Sequence, residues 1–499
     1  MTVFSVLSVG VVTFNVSAES NRQRSNGVFE YLVLSSDSAR LRRVVDMDYT
    51  GKTLVIPAEI DGHKVVGIDG SAESFYEYLI ESGNVDTITS IKIEEGIVQL
   101  DPYGLYNDPD SYYEDYYEDM EFEDFNEQGI FSGLKNLKNV SLPKSLKALD
   151  DGMFSNCTSL RKVTLPDTVE FFGYNVFGGC TSLKYVNLPS NMKNIPANMF
   201  KNCRSLESIN LPSSLESIDD SAFAYCESLK GQLKLPKSLK AIGEKAFYGC
   251  KSLTGKLEIP KNLKKIRSGA FAFCTGLTSF RIADGNKYFS QKGGVLFNKK
   301  KTKIHCYLSG KETKEYNIPS TVKSVDEYAF AGTKYLRKIT LSKKMRWVGE
   351  YAFYKSRVKE VNLPKSIDSI SEGAFKNCKN IKSIKLPANI IQIGDSAFEN
   401  CKNLKEIKIP SKVVTIGNFA FKGCSSLKSL TFPKSVSTIF VGAFDNCKNL
   451  KSVKILNKKC DIYFWKDKVS GCKPTIYGYK NSTAQKFAKT AKLKFVTVK

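Results

Sequence analysis

Apolar residues return along the chain in one phrase, Leu-x-x-Ile-x-Leu-Pro-x-x-Val-x-x-Ile-x-x-x-Ala-Phe-x-x-Cys, mostly at intervals of 23 or 24 residues. Leu183-Lys-Tyr-Val-Asn-Leu-Pro189 is followed by Met192, Ile195, Phe200 and Cys203, and Leu206-Glu-Ser-Ile-Asn-Leu-Pro212 then opens the phrase again. Phenylalanine keeps the same beat at 131, 154, 177, 200, 223, 247, 271, 330, 353, 375, 398, 421 and 444. Self-similarity at such a period marks a stacked array of identical supersecondary units. In Leu404-Lys-Glu-Ile-Lys-Ile-Pro410, Ile407 and Ile409 alternate with Glu406 and Lys408, which predicts a short strand with one buried face. The proline ends that strand, because it has no N–H to give to a ladder. A second short extended piece ends at Ile416-Gly417. Phe421 and Cys424, three apart, predict a single helical or 3₁₀ turn on the third side of the coil.

No unit of this length encloses its own apolar face, so neighbours must stack and share one core. The ends of the chain depart from the phrase. Residues 28 to 68 contain strand-like runs, Phe29-Glu-Tyr-Leu-Val-Leu34 and Val44-Val45, and then an irregular first unit from Ile56-Pro57 to Ile68 without the Phe and Cys. Near the other end Ala484, Phe487, Ala488 and Ala491 fall at helical spacing behind Asn481 to Thr483, which offer N-cap oxygens. A last strand is predicted at Phe495-Val-Thr-Val498.

Composition narrows the class. With 499 residues and 42% hydrophobic content the chain has ample core, and 74 Lys and Arg against 51 Asp and Glu give a formal charge of +23. That excess favours an anionic partner. Residues 1–18 are apolar and end in Val16-Ser17-Ala18, the pattern of a signal peptide cleaved after Ala18. The usual positive n-region is missing, which points to a start further upstream. The stretch is short and broken by Ser, Thr and Asn, so a permanent anchor is the weaker reading. No other segment approaches an integral membrane span.

The phrase resembles BspA-type leucine-rich repeats, as Leu427-Lys-Ser-Leu-Thr-Phe-Pro433 and Val413-Val-Thr-Ile-Gly417-Asn-Phe-Ala-Phe421-Lys-Gly-Cys424 show. The likeness covers about residues 28 to 498. It implies an α/β repeat fold: a curved leucine-rich-repeat solenoid of ~23-residue units with parallel strands, capped at both ends. It also implies a secreted or cell-surface protein that acts in adhesion or protein binding. Asn286-Lys-Tyr-Phe-Ser-Gln-Lys-Gly-Gly-Val-Leu-Phe-Asn298, followed by Lys303-Ile304, resembles the family's hairpin insertion, and 475–498 resembles its C-terminal cap. The expected layout is a leader at 1–18, an N-terminal cap with irregular first repeats at 19–100, and an acidic Tyr-rich insertion at 101–127. Repeats then fill 128–283 and 319–456, with the hairpin insertion at 284–318 between them and the C-terminal cap at 457–499. The chain departs from the family pattern in places. Leu134, Thr333 and Ser356 stand where the cysteine belongs after Phe131, Phe330 and Phe353, Leu341-Ser342 replaces Leu-Pro, and no Leu-Pro-x-Thr-Gly sorting signal is present.

Most of the candidate chemistry dissolves into the repeat. Ten of the 13 cysteines (157, 180, 203, 226, 250, 274, 378, 401, 424 and 447) recur once per unit, which makes them a stacked column of buried thiols. Coils roughly 4.8 Å apart hold parallel Cβ atoms beyond the ~3.8 Å of a disulfide. Cys460 and Cys472 remain open as a disulfide pair. Zinc would want clustered His or Cys pairs, and none occur; no cofactor or metal site is expected. Only His63 and His305 exist, so acid–base chemistry has little material. Cys306 beside His305 suggests a nucleophile and base, but adjacent strand residues point to opposite faces. The chain is therefore not expected to be an enzyme, a carboxylate-based hydrolase being the weakest reading.

Two charged features stand out. The stretch from Asp101 to Glu127 carries eleven carboxylates and six tyrosines without Lys or Arg. It reads as a solvated loop, a calcium site, an acidic-aromatic epitope or an internal partner for the basic body. Lys382, Lys405, Lys428 and Lys451 occupy one exposed position of successive strands, and Lys385, Lys408 and Lys454 occupy another. Like charges stacked at roughly 5 Å repel, so folding does not account for them. They are the candidate ligand-binding residues, for a protein or an anionic glycan or wall polymer on a host or neighbouring cell. The competing readings are lysines decorating a solvated sheet and a passive scaffold. Nucleic acid is not expected, since the stripe lacks interleaved aromatics.

Overall fold

The computed structural model describes residues 22–25, 28–44, 52–68, 87–100, 129–464 and 469–498. The expected leader at 1–18 and the acidic insertion at 101–127 lie outside the described residues. Two compact units, Met1–Cys180 and Thr181–Lys499, divide the chain.

In the first unit Phe29–Ser35 pairs antiparallel with Arg22–Ser25 and with Ser38–Val44. Ser38–Val44 then pairs in parallel with His63–Ile68. A separate parallel ladder joins Thr53–Ile56, Ser90–Ile93 and Asn139–Ser141. The rings of Phe131, Phe154 and Phe177 stack on one another at centroid separations of 5.6 and 5.8 Å.

The second unit repeats two parallel ladders. One contains Ser383–Ile384 with Glu406–Ile407, and Ser429–Phe432 with Ser452–Ile455 and Thr475–Gly478. The other runs Ser369–Ile370, Gln392–Ile393, Thr415–Ile416, Thr438–Ile439 and Asp461–Ile462. Each Pro that ends a strand also starts the turn between the ladders, as where the Val413 amide donates to the Pro410 carbonyl at 3.2 Å. Alternation along Ser429–Phe432, with Leu430 and Phe432 buried and Ser429 and Thr431 exposed, puts one face in the core and one in water. A single buried apolar cluster runs from Val295 to Ala491.

The third side of the coil differs from the helical or 3₁₀ turn that its spacing predicts. Amide-to-carbonyl bonds do span three residues, Ala420 to Gly417 at 3.3 Å and Cys424 to Phe421 at 3.1 Å. Phe419 (φ 56°) and Gly423 (φ 70°), however, are left-handed within those loops. A left-handed residue in third place belongs to a type II turn and cannot sit in a right-handed helix. The repeats therefore carry paired turns, and among the described residues helix is confined to Thr483–Thr490, whose Ser482 hydroxyl caps it by accepting from the Gln485 amide.

Between the ladder positions of Phe271 and Phe330 the chain makes an antiparallel hairpin, Phe289–Lys292 with Val295–Asn298. Lys303–Cys306 pairs with its second strand and, on the other side, in parallel with Ser324–Val325. Tyr307 then stacks on Phe330 at 5.1 Å and takes the place of the ladder phenylalanine.

Candidate binding surface

Both predicted lysine rows lie on the outward side of the first ladder in the second unit. All seven, Lys382, Lys385, Lys405, Lys408, Lys428, Lys451 and Lys454, are exposed. Backbone pairing aligns the first row: the Lys405 amide donates to the Lys382 carbonyl and the Lys451 amide to the Lys428 carbonyl, each at 2.9 Å. Parallel registry of Ser383 with Glu406 and of Thr431 with Lys454 aligns the second, in which Thr431 occupies the Lys428 coil's place. Among the described residues none of the seven has a carboxylate within 4.0 Å.

The first row is longer than the sequence period suggests. The Lys359 amide donates to the Arg337 carbonyl, and the Arg337 amide to the Lys314 carbonyl, each at 2.7 Å. Lys314, Arg337 and Lys359 thus hold the same position on three earlier coils. A shift of 23 carries Lys382 back to Lys359 and Arg337 back to Lys314, but the step from Arg337 to Lys359 is 22 residues and only backbone pairing bridges it. The corresponding position upstream is filled differently. There Lys184, Glu207 and Lys230 follow one another, with Glu207 between lysine nitrogens at 3.9 and 2.7 Å. The Lys230 ammonium beside it holds the Glu207 carboxyl below the usual range. This fold accommodates alternating charge in that row, so the unbroken cationic run further along is not a requirement of stacking.

Ser356-Arg357-Val358 has one residue fewer than the equivalent Cys378-Lys379-Asn380-Ile381. The shortened coil leaves a cleft of about 420 Å³ lined by Lys355, Ser356, Arg357, Asn377, Lys379 and Asn380. Its cations belong to no lysine row that was read from the sequence.

The cysteine column is a set of buried thiols, with a role its sequence period did not reveal. Each sulfur points at the carbonyl of the ladder phenylalanine one coil back: Cys401 to Phe375, Cys424 to Phe398 and Cys447 to Phe421, each at 3.1 Å. Burial pushes the Cys401 and Cys424 thiols well above 9.0, and Cys447 up to about 12. Cys460 and Cys472, the candidate disulfide, are free. Cys472 instead extends the column by pointing at the Phe444 carbonyl at 3.5 Å, while Cys460 points at the Asp461 carbonyl.

His305 does not activate Cys306. Its Nδ1 lies 2.7 Å from Asp326 Oδ2, and Lys303 Nζ lies 2.5 Å from the other carboxylate oxygen. Burial drives the Cys306 thiol far above its ordinary range. Among the described residues no group of three or more His, Cys, Asp or Glu is placed to hold a metal, and no helix is long and apolar enough to cross a membrane.

Comparison with known proteins places this architecture. A leucine rich cell surface protein from Faecalibacterium prausnitzii superposes with a TM-score of 0.58 at 23% identity, covering 83% of this chain and 95% of that one. A leucine-rich repeat protein from Eubacterium ventriosum has a TM-score of 0.45 at 19% identity, over 86% of this chain and 93% of that one. The pneumococcal vaccine antigen PcpA has a TM-score of 0.41 at 19% identity, over 96% and 99%. No curated protein sequence matches the chain. The family model for the BspA type leucine rich repeat region matches in six copies, over residues 124–230, 228–299, 300–413 and 368–466. Because those segments run without a gap through the coils that carry the Phe ladder and the thiol column, the chain belongs to the BspA-type leucine-rich-repeat family.

Proposed function

We propose that this chain is a secreted or cell-surface binding protein that holds an extended anionic polymer, an acidic glycan or wall polymer, along the strand face between residues 382 and 454. Family membership supports the coarser part of this reading, an interaction or adhesion role. The finer part rests on the contrast within one row, in which Glu207 lies between and pairs with Lys184 and Lys230 whereas no carboxylate interrupts Lys382, Lys405, Lys428 and Lys451. Seven exposed ammonium groups at roughly 5 Å intervals raise the local positive potential. They are strongly hydrated point charges without a fixed fork, and suit a repeating anion better than one shaped ligand. A partner protein with an acidic face would meet the same lysines, and the family's interaction role favours that second reading.

The test is replacement of Lys382, Lys405, Lys408 and Lys428 with Glu. These side chains are exposed, so circular dichroism and the thermal midpoint should stay near wild type. Retention on an immobilised sulfated or carboxylated polysaccharide should fall by more than about tenfold at low salt and converge with wild type at high salt, where charges are screened within roughly 3 Å. Retention that ignores both the substitutions and the salt sinks the proposal. Absence of saturable binding to any polymer or matrix fraction would leave a passive scaffold.

A further inference from the structure

The cleft at Ser356 interrupts an otherwise periodic surface, and its origin is local. In the ordinary coil the segment after the thiol closes with its own backbone, the Leu404 amide donating to the Cys401 carbonyl at 3.0 Å. After Phe353 one residue is missing, and the Val358 amide turns instead to the Ser356 hydroxyl at 3.3 Å. That hydroxyl is buried and also bonds the Thr333 hydroxyl at 2.5 Å. Thr333 and Ser356 thus replace the thiol column on consecutive coils. The loop keeps Lys355 and Arg357 exposed on either side of the buried Ser356, and the following coil's Asn377, Lys379 and Asn380 line the cleft with them.

We infer that this cleft binds a single oxyanion, a phosphate or sulfate monoester, carried as a substituent of the polymer that the lysine rows hold; the inference rests on that reading. Three cations, Lys355, Arg357 and Lys379, line the cleft with Ser356, Asn377 and Asn380, and no carboxylate does. Among the described residues none of the three cations has an ion-pair partner. The Lys355 nitrogen lies 4.8 Å from the Tyr354 ring centroid and 6.0 Å from that of Phe273. The Asn380 amide nitrogen donates to the Arg357 carbonyl at 3.2 Å and ties the two walls together. A planar guanidinium in a lining that also carries two lysines matches an oxyanion that accepts several charge-assisted hydrogen bonds. The row cation beside the cleft, Lys359, is two residues from Arg357, so a polymer lying on that row passes the cleft mouth.

The experiment titrates the full chain with inorganic phosphate and, separately, inorganic sulfate, and reads binding by calorimetry. Arg357→Gln and Lys379→Gln should each weaken the preferred anion by about tenfold, the loss of one charge-assisted contact. A second variant inserts an asparagine between Arg357 and Val358, which restores the ordinary loop length. It keeps every cation yet closes the cleft, and should abolish anion binding while leaving the thermal midpoint at or above wild type. Should the insertion variant bind the anions as wild type does, the cleft is not the site and the inference fails. The lysine-row variant Lys408→Glu separates the two proposals: it should weaken polymer retention and leave binding of the inorganic anion unchanged. Anion binding that disappears with Lys408→Glu but survives Arg357→Gln would assign it to the row and overturn the cleft.

Discussion

From Phe154 onward, each coil that carries the ladder phenylalanine has two left-handed positions, one two residues before the ring and one two residues after it, and their occupants are correlated between neighbours. Where one coil puts an aromatic side chain there, the next usually has glycine: Tyr225 is followed by Gly249, Phe273 by Gly332, Tyr351 by Gly373 and Phe419 by Gly442, while Tyr328 is the exception and is followed by Tyr351. A Cβ on Gly373 would fall 2.4 Å from two carbons of the Tyr351 ring, and one on Gly442 would lie 2.5 Å from the Phe419 ring. Tyr351 is itself accommodated because Tyr328 on the coil before stacks flat against it at 5.2 Å. Gly373→Ala is therefore expected to cost more than the ~1–2 kcal/mol of a left-handed residue alone, because Tyr351 must also move. A urea titration measures this, and a loss under about 1 kcal/mol would contradict the packing described. Phe398, fully buried between Phe375 at 5.4 Å and Phe421 at 5.7 Å, should cost about 3–5 kcal/mol when cut to alanine. The core role of Phe398 was legible from its period. The glycine rule was not, because it depends on which side chain lies above in the neighbouring coil.

At the scale of elements, the hairpin that interrupts the repeats is fastened by one buried acid. Asp326, 8% exposed in its side chain, receives Lys303 and His305 from the strand Lys303–Cys306, while its amide donates to the Ile304 carbonyl at 2.9 Å. Asp326→Ala removes the shared acceptor and leaves two donors without a partner. The cost is expected at roughly 1–3 kcal/mol, below that of a fully dry pair because Lys303 is 39% exposed. Hydrogen exchange should speed up at Val295–Asn298 and Lys303–Cys306 and stay unchanged at Thr415–Ile416 and Ser452–Ile455. Uniform acceleration throughout would show that the acid stabilises the whole stack. The strands of this segment could be read from alternation, but their partners could not. Antiparallel pairing within the hairpin and parallel pairing onto Ser324–Val325 are compatible with the same local pattern. The turn side shows the same limit, since a three-residue spacing serves a 3₁₀ turn and a type II turn equally and only the sign of φ separates them.

Over the molecule as a whole, the thiol column makes stability depend on alkaline pH. Unfolded thiols ionise near 9.0, while burial holds Cys180 up to about 12 and Cys472 up to about 11, with Cys226, Cys274, Cys401 and Cys424 raised well above 9.0. A raised folded value means that the contribution is fully present below about pH 9 and is lost as pH climbs toward the folded values. Each fully buried thiol then costs about 1.4 kcal/mol per pH unit above 9. The thermal midpoint should fall steeply between pH 9 and 11, and less steeply in a Cys378→Ala, Cys401→Ala, Cys424→Ala variant compared with wild type at each pH. Identical slopes would remove the thiols from the account.

Sequence alone determined whatever recurs: the ~23-residue period, the inward phenylalanines and thiols, the strand alternation and the outward lysine rows. Each of these is a fixed place in a repeated phrase, and stacking carries that place unchanged from coil to coil. Tertiary structure decided what depends on the neighbouring coil or on a break in the period. Tyr307 enters the phenylalanine ladder only because the hairpin returns it there, and Cys472 joins the thiol column because its sulfur reaches the Phe444 carbonyl. Lys314 and Arg337 join the cationic row only when backbone pairing bridges the 22-residue step from Arg337 to Lys359. The cleft of Arg357 and Lys379 exists because one coil lacks a residue that its neighbour keeps, and a missing residue leaves its mark in space between two coils rather than at any single position of the chain.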